Sequence, residues 1–161
     1  MAESIYIPSG ASKADIYEAL IPQISALIAS ETDRTAALAN VTAVLKEVLG
    51  FFWVGFYIVK QNELVLGPFQ GSLACTRIAY GKGVCGTAWQ TASVQLVADV
   101  NAFPGHIACS SLSKSEIVIP IQKKGKIFAV LDIDSDKTAD FDQTDNLYLS
   151  KIGELIAQYC F

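Results

Sequence analysis

Apolar residues recur at helical spacing near both ends of the chain and at strand spacing between them. Ser12 and Asp15 fit the capping box that opens a first helix. Thr32-Asp33 fits the cap of a second helix, Gly50 fits its stop, and Asp142 fits the cap of a last helix. The apolar stripes predicted for these helices are Ile16, Leu20, Ile24, Leu27 and Ile28; Leu38, Val41, Leu45 and Val48; and Leu147, Ile152, Leu155, Ile156 and Tyr159.

Between the helices, the pattern is that of β-strands joined by short turns. The predicted strands are 51–60, 63–69, 75–79, 94–97, 116–122 and 126–135. We expect the first two strands, joined at Gln61-Asn62, to form the centre of the sheet. Helices, then an antiparallel meander, then a helix predict an α+β fold with the helices packed on one face of the sheet. The length of 161 residues fits one domain over 1–161.

Composition and charge narrow the functional classes. The chain is 52% hydrophobic, yet its longest nearly uninterrupted apolar run, 49–59, is shorter than the ~18 residues that a membrane-spanning helix needs. No basic and apolar leader opens the chain, so we expect a cytoplasmic location. The net charge of −4, without an extended lysine and arginine cluster, argues against a nucleic-acid or anionic membrane partner. Clustered cytoplasmic cysteines are more often catalytic, redox-sensing or metal-binding than structural.

A glycine-rich turn precedes a predicted short helix. Gly81-x-Gly83-x-x-Gly86 matches the dinucleotide fingerprint, which works within β-α-β units, whereas this chain predicts antiparallel hairpins. We therefore interpret the segment as a turn that places Cys85 at a helix start. The partial charge there favours a thiolate. A small buried apolar residue explains Cys85 equally well.

Of the two further cysteines, Cys75 opens the predicted strand 75–79 and Cys109 lies in a segment with little regular pattern. Cys109 belongs to the irregular stretch 99–115, three residues after His106, the only histidine. Cys75 lies close to Arg77, whose charge would lower the pKa of a nearby thiol. Two such cysteines can supply a nucleophile and a partner that resolves its sulfenic acid as a disulfide.

A zinc site is an alternative interpretation of these thiols. Its four ligands would be Cys75, Cys85, His106 and Cys109. The close paired spacings of zinc sites are missing, so we predict no metal site. Cys160 belongs to no cluster.

Acidic residues end the last predicted strand. Asp132 and Asp134 share one face, and like charges held close would raise one pKa enough to make a proton donor near neutral pH. The alternative is a strand end that emerges into water. Residue numbers that sum to about 249 pair across the Lys124-Gly125 turn, which places Glu116 near Ile133 and all three acids at one end of the hairpin.

Aromatic residues are dense on the first strand. Alternation separates Trp53 and Tyr57 from Phe52 and Phe56. Most of these rings are expected in the core. A ring exposed in a pocket would cover a methyl group or a sulfur centre with partial positive charge.

Six segments together resemble a known family. They are Trp53-Val54-Gly55-Phe56-Tyr57, Gly67-Pro68-Phe69-Gln70-Gly71, Ala74-Cys75-Thr76-Arg77-Ile78, Gly81-Lys82-Gly83-Val84-Cys85-Gly86, His106-Ile107-Ala108-Cys109-Ser110-Ser111 and Leu131-Asp132-Ile133-Asp134-Ser135. Through them nearly the whole chain resembles the free methionine-(R)-sulfoxide reductases, which are stand-alone GAF domains.

The resemblance implies a six-stranded antiparallel sheet and specific roles for the site residues. It implies Cys109 as nucleophile, Cys75 as resolving cysteine and an auxiliary role for Cys85. It also implies a substrate pocket whose residues are Glu116, Asp132, Asp134 and Trp53, to which the aromatic pattern adds Tyr57.

The activity implied is reduction of free L-methionine (R)-S-oxide through a sulfenic acid and a disulfide, with external thioredoxin as reductant and no bound cofactor. A homodimer is expected because GAF domains often dimerise through their terminal helices. Two alternatives stay open, a GAF sensor without catalysis and a thiol redox switch. Thiol counts after exposure to each sulfoxide diastereomer or to peroxide separate the three.

Overall fold

The structure is a computed structural model and describes residues 4–161. Four helices are described: α1 (Lys13–Ala29), α2 (Arg34–Leu49), α3 (Gly83–Thr91) and α4 (Gln143–Cys160). Six strands are described: β1 (Trp53–Lys60), β2 (Glu63–Gln70), β3 (Arg77–Ala79), β4 (Gln95–Val97), β5 (Ser115–Lys123) and β6 (Lys126–Ser135). A short 3-10 helix covers Val100–Ala102. Within 4–161, no helix is both long and apolar enough to cross a membrane.

Local capping signals set the helix ends as the sequence predicts. Ser12 opens α1 with a reciprocal capping box, and Asp33 caps α2 through the Ala36 N–H. Gly50 ends α2 in the left-handed region, with φ 66°. Asp142 and Asp145 form the capping box of α4.

The apolar stripe predicted for α4 is partly wrong. Leu147 is 53% exposed and Tyr159 is 39% exposed, whereas Tyr148 and Leu149 are buried beside Ile152. The helix is rotated by about one position at its start, because Tyr148 stacks on the Tyr17 ring of α1. That partner lies 131 positions away, so local periodicity does not contain it.

The six strands form one antiparallel sheet in the order β3-β2-β1-β6-β5-β4. The prediction that the first two strands form the centre of the sheet is wrong in one respect, since the two central strands are β1 and β6. β2 lies one place closer to the edge. Long-range pairing of β6 against β1 therefore brings the acidic end of β6 beside the aromatic start of β1.

The two faces of the sheet carry different elements. Helices α1, α2 and α4 pack on one face around a core that includes Leu20, Leu45, Phe56 and Ile152. The other face carries α3 and the loops around it, which pack against Trp53 and its neighbours. The predicted α+β fold with the terminal helices on one face is confirmed. The opposite face of the sheet is not covered by these helices, so a functional site can form there.

Candidate active site

A β-bulge decides the position of Glu116. Near the hairpin turn, Gln122 pairs with Ile127, but Ile121 pairs with Ala129, so β6 carries one extra residue. Glu116 consequently lies opposite Asp134 instead of near Ile133 as predicted.

The one-residue shift has a direct consequence for the site. Residues opposite each other across a sheet point to the same face. An unshifted strand would have paired Glu116 with Ile133, which belongs to the helix-packed core. The bulge turns Glu116 to the face of Asp132 and Asp134, so the three acids meet as the sequence analysis expected.

Burial makes the acid cluster electrostatically unusual. Asp132 is only 7% exposed and Glu116 only 5%. Burial, followed by the charges of Asp132 and Asp134, raises the Glu116 pKa well above its ordinary value. Burial and the charge of Asp132 raise the Asp134 pKa, although Ser113 opposes the rise with a hydrogen bond. Burial raises the Asp132 pKa to about 6. The interpretation of a strand end in water is therefore excluded.

One oxygen of the cluster lacks a donor. Asp132 Oδ1 is buried and has no hydrogen-bond partner within residues 4–161. A proton on the neighbouring Glu116 carboxyl would supply the donor. The cluster is therefore suited to hold a proton, or to receive a positively charged group.

The Trp53 ring lies over the start of β1, beside these acids. Trp53 pairs with Asp134 across the sheet, and its Nε1–H donates to the Ser72 carbonyl at 3.0 Å. The ring has room because position 55 is glycine. A Cβ on Gly55 would lie 2.4 Å from the indole and 2.5 Å from the Cβ of Phe69.

Tyr57 lies four positions after Trp53 on the same face of β1. It is 1% exposed, and burial raises its pKa. Its hydroxyl donates to the Cys75 carbonyl at 2.9 Å. Phe56 points to the opposite core, as strand alternation predicts. Tyr57 therefore ties the sheet to the loop that carries Cys75.

Cys75 and Cys109 form a disulfide. Their Cα atoms are 5.3 Å apart across a sequence separation of 34 residues. The bond excludes the four-ligand zinc interpretation for this form, because two of those thiols are joined. Cys75 lies in the loop before β3, not within a strand as predicted. Arg77 does not serve the thiols, since it is exposed and pairs with Glu63 at 3.2 Å.

The structure agrees with the interpretation of Cys85 as a small buried residue. Helix α3 begins at Gly83, earlier than predicted, so Cys85 lies within its first turn. The side chain is 3% exposed, and burial, followed by the charges of Asp132 and Glu116, raises the thiol pKa well above its ordinary value. Its Sγ lies 3.9 Å from Glu116 Oε1. Cys85 is a buried thiol beside the acids, not a thiolate.

These parts line one cavity beside the acid cluster. Its lining includes the three acids, Trp53, Tyr57, Cys85 and Cys109. The side chains singled out from the sequence thus share one cavity, apart from Cys75, which the disulfide holds at Cys109.

The chain is similar to proteins of known family. The GAF domain profile matches residues 33–159. GAF domain-containing protein A of Dictyostelium discoideum is 59% identical over 157 residues, which cover 97% of this chain and 99% of that protein. The free methionine-R-sulfoxide reductase of Escherichia coli is 47% identical over 148 residues, or 91% of this chain and 88% of that protein.

A solved structure supports the same family assignment. The X-ray structure of free methionine-R-sulfoxide reductase from Neisseria meningitidis in complex with its substrate has a TM-score of 0.94 and 51% identity, and the match covers 98% of this chain and 95% of that chain. The chain belongs to the free methionine-R-sulfoxide reductase family of GAF domains. The family named from the sequence segments is confirmed.

In this member of the free methionine-R-sulfoxide reductase family, the cavity also contains Lys82, His106 and Ser113. The sequence assigned Lys82 and Ser113 no role, and it offered His106 only as a zinc ligand. Lys82 is the only lysine or arginine that lines the cavity among the described residues. His106 also lines it, with a buried Nδ1 that lacks a hydrogen-bond partner within 4–161 and a pKa lowered by burial. Ser113 lines the cavity beside Asp134. Lys82 could have been singled out from the sequence, since it is the one cationic residue inside the glycine-rich turn.

Proposed function

We propose that this protein reduces free L-methionine (R)-S-oxide to L-methionine. The observation that supports the proposal best is the Cys75–Cys109 disulfide at a cavity that also holds three acids, of which Glu116 and Asp132 are buried. A thiol that attacks a sulfoxide needs a proton for the oxygen and a second thiol to close the cycle. Both requirements are available within one cavity. The names of the relatives agree with this chemistry.

In the first step, the Cys109 thiolate attacks the sulfoxide sulfur while a protonated carboxyl of the cluster donates to the oxygen. The attack forms a bond between Cys109 Sγ and the substrate sulfur. The hydroxyl group then passes from the substrate sulfur to Cys109, so the sulfur–oxygen bond and the new sulfur–sulfur bond both break and Cys109 becomes a sulfenic acid. Methionine leaves with the electron pair. Glu116 is the proposed donor because burial and the charges of Asp132 and Asp134 raise its pKa well above its ordinary value, which favours the protonated carboxyl.

In the second step, the Cys75 thiol condenses with the sulfenic acid of Cys109. A disulfide forms and water leaves. An external dithiol then reduces the disulfide by thiol exchange and becomes a disulfide itself. We propose thioredoxin for this role, which places the enzyme in a reducing compartment, the cytoplasm. No bound cofactor takes part in this cycle.

The cavity also accounts for the choice of a free amino acid. A free ammonium group can pair with the buried carboxylates, whereas the amide nitrogen of a peptide cannot. Lys82 can pair with the free carboxylate of the same substrate. The rings of Trp53 and Tyr57 cover the methyl group and the sulfur.

The test measures methionine formed from each diastereomer of free methionine sulfoxide. The parent and Cys160→Ser, which changes a thiol outside the cavity, are expected to consume the R form alone. Cys109→Ser is expected to form no methionine. If Cys109→Ser worked at the parent rate, the nucleophile assignment would be wrong. Thiol counts complete the test, because a sensor loses none and a redox switch responds to peroxide instead.

We also propose that the protein is a homodimer through its terminal helices. Leu147 and Tyr159 on α4 are exposed apolar side chains that a dimer through this helix would cover in part. Light scattering on the purified chain measures this directly. A mass equal to the chain mass of 17.3 kDa would contradict it.

A further inference from the structure

Three metal-ligating groups meet at one side of the cavity. Cys85 Sγ and one carboxylate oxygen from each of Glu116 and Asp132 all lie within 4.8 Å of one another. The exposed fractions of these side chains are 3%, 5% and 7%. Each is anchored on a different element, α3, β5 and β6, so the triangle is held by the fold rather than by one loop.

The distances are close to those of a tetrahedral zinc site. Zn–O and Zn–S bond lengths place the ligand atoms about 3.3–3.8 Å apart. The distance from Cys85 Sγ to Glu116 Oε1 is 3.9 Å. A bound cation therefore requires the three ligand atoms, which lie within 4.8 Å of one another, to move inward, and three protein ligands leave the fourth position to water.

A second observation points to a positive ligand. Asp132 Oδ1 is buried and has no hydrogen-bond partner within residues 4–161. Glu116 and Asp132 take part in none of the ion pairs that the structure describes, which lie at Lys13 and Arg77. Burying both groups in their charged form without a cationic partner is costly in free energy, and a bound cation would offset that cost for both at once.

We propose that Cys85, Glu116 and Asp132 form a binding site for one thiophilic divalent cation of the zinc class. The mixed sulfur and oxygen ligands favour zinc or its soft neighbours over Mg²⁺ and Ca²⁺, which need more oxygen ligands. When the cation binds, the Cys85 thiol and the Glu116 carboxyl release their protons to solvent, and the sulfur and a carboxylate oxygen join the metal. No electrons are transferred in this step.

The test uses the full chain in its disulfide form, in which Cys85 and Cys160 are the free cysteines. Co²⁺ is the probe, because a thiolate ligand gives it a charge-transfer absorption band. One equivalent of Co²⁺ is expected to produce the band in the parent and in Cys160→Ser, and Zn²⁺ is expected to remove it by displacement. Cys85→Ala is expected to show no band.

Asp132→Asn is the second variant, since it keeps the size of the side chain and removes the charge. It is expected to weaken Co²⁺ binding by at least about tenfold. A parent without a band, a band that persists in Cys85→Ala, or a band lost in Cys160→Ser would each overturn the proposal. The readout is binding to the oxidised protein, so its outcome is independent of whether the chain reduces a sulfoxide.

Discussion

At the scale of single residues, the placement of Trp53 depends on the absence of a side chain at position 55. Changing Gly55→Ala would put a methyl group 2.4 Å from the indole, so the ring must move away from the cavity. We expect a raised KM for the sulfoxide and a loss of about 1–3 kcal/mol in the free energy of unfolding. Steady-state kinetics and urea unfolding measure the two effects.

The matched control for that change is Gly153→Ala on α4. Its added Cβ would lie 3.0 Å from Ile119 on the helix-packed face of the sheet. This variant is also expected to lose stability, but its KM should match the parent. Equal KM changes in both variants would mean that Gly55 acts only through general stability.

Glu116 carries a separate prediction about proton transfer. Glu116→Gln keeps the shape of the side chain but removes the acid proton, so kcat is expected to fall by about 10²-fold or more. The control is Glu154→Gln, an exposed carboxylate on α4. A kcat within twofold of the parent would assign the proton donor elsewhere, with Asp134 as the remaining acid whose pKa is raised well above its ordinary value.

At the scale of elements, α1 and α4 are joined by a polar contact at their N-termini. Lys13 Nζ lies 3.0 Å from Asp142 Oδ2 and 2.7 Å from Asp145 Oδ2, and Tyr17 donates to Asp145 Oδ1 at 2.8 Å. The hydrogen bond from Lys13 is the main cause that lowers the Asp142 pKa to about 2. The contact thus stabilises the packing of the two helices.

The lowered pKa of Asp142 determines the direction in which the stability of the fold changes with pH. A carboxyl group whose pKa is lowered in the folded protein stabilises the fold at pH values above the ordinary carboxyl pKa of about 3.9. That contribution is lost as the pH falls through the folded-state pKa of about 2. Asp142 is 57% exposed, so we expect less than about 1 kcal/mol. Urea unfolding between pH 5 and pH 2 should show a smaller decrease for Lys13→Met than for the parent. An equal decrease would contradict the role of this ion pair.

The elements also show where sequence reasoning succeeds and where it stops. Caps such as Ser12, Asp33 and Asp142 are local, so they were predicted correctly. The bulge in β6 was not predicted, because Phe128 looks like an ordinary strand residue. Its ring instead packs near Phe161 at the C-terminus. That contact joins residues far apart in the chain, so the strand pattern around Phe128 does not contain it.

At the scale of the whole molecule, the disulfide joins the loop before β3 to the long loop before β5. Cys75→Ser removes the resolving thiol and leaves the nucleophile. We expect a single turnover with one methionine per chain, after which Cys109 remains a sulfenic acid that dimedone labels. Mass spectrometry after one addition of substrate measures both. Continued turnover with thioredoxin at the parent rate would show that another thiol resolves the intermediate.

The sequence by itself determined the class of fold, the helix and strand order, and most of the chemistry-bearing residues. These properties follow from periodicities of two and 3.6 residues, from caps, and from short segments typical of one family. The tertiary structure alone decided that β6 pairs with β1, that a bulge turns Glu116 toward Asp132, and that Cys85 is a buried thiol. The reason is physical, since register and desolvation depend on residues far apart in the chain that meet only in the folded molecule.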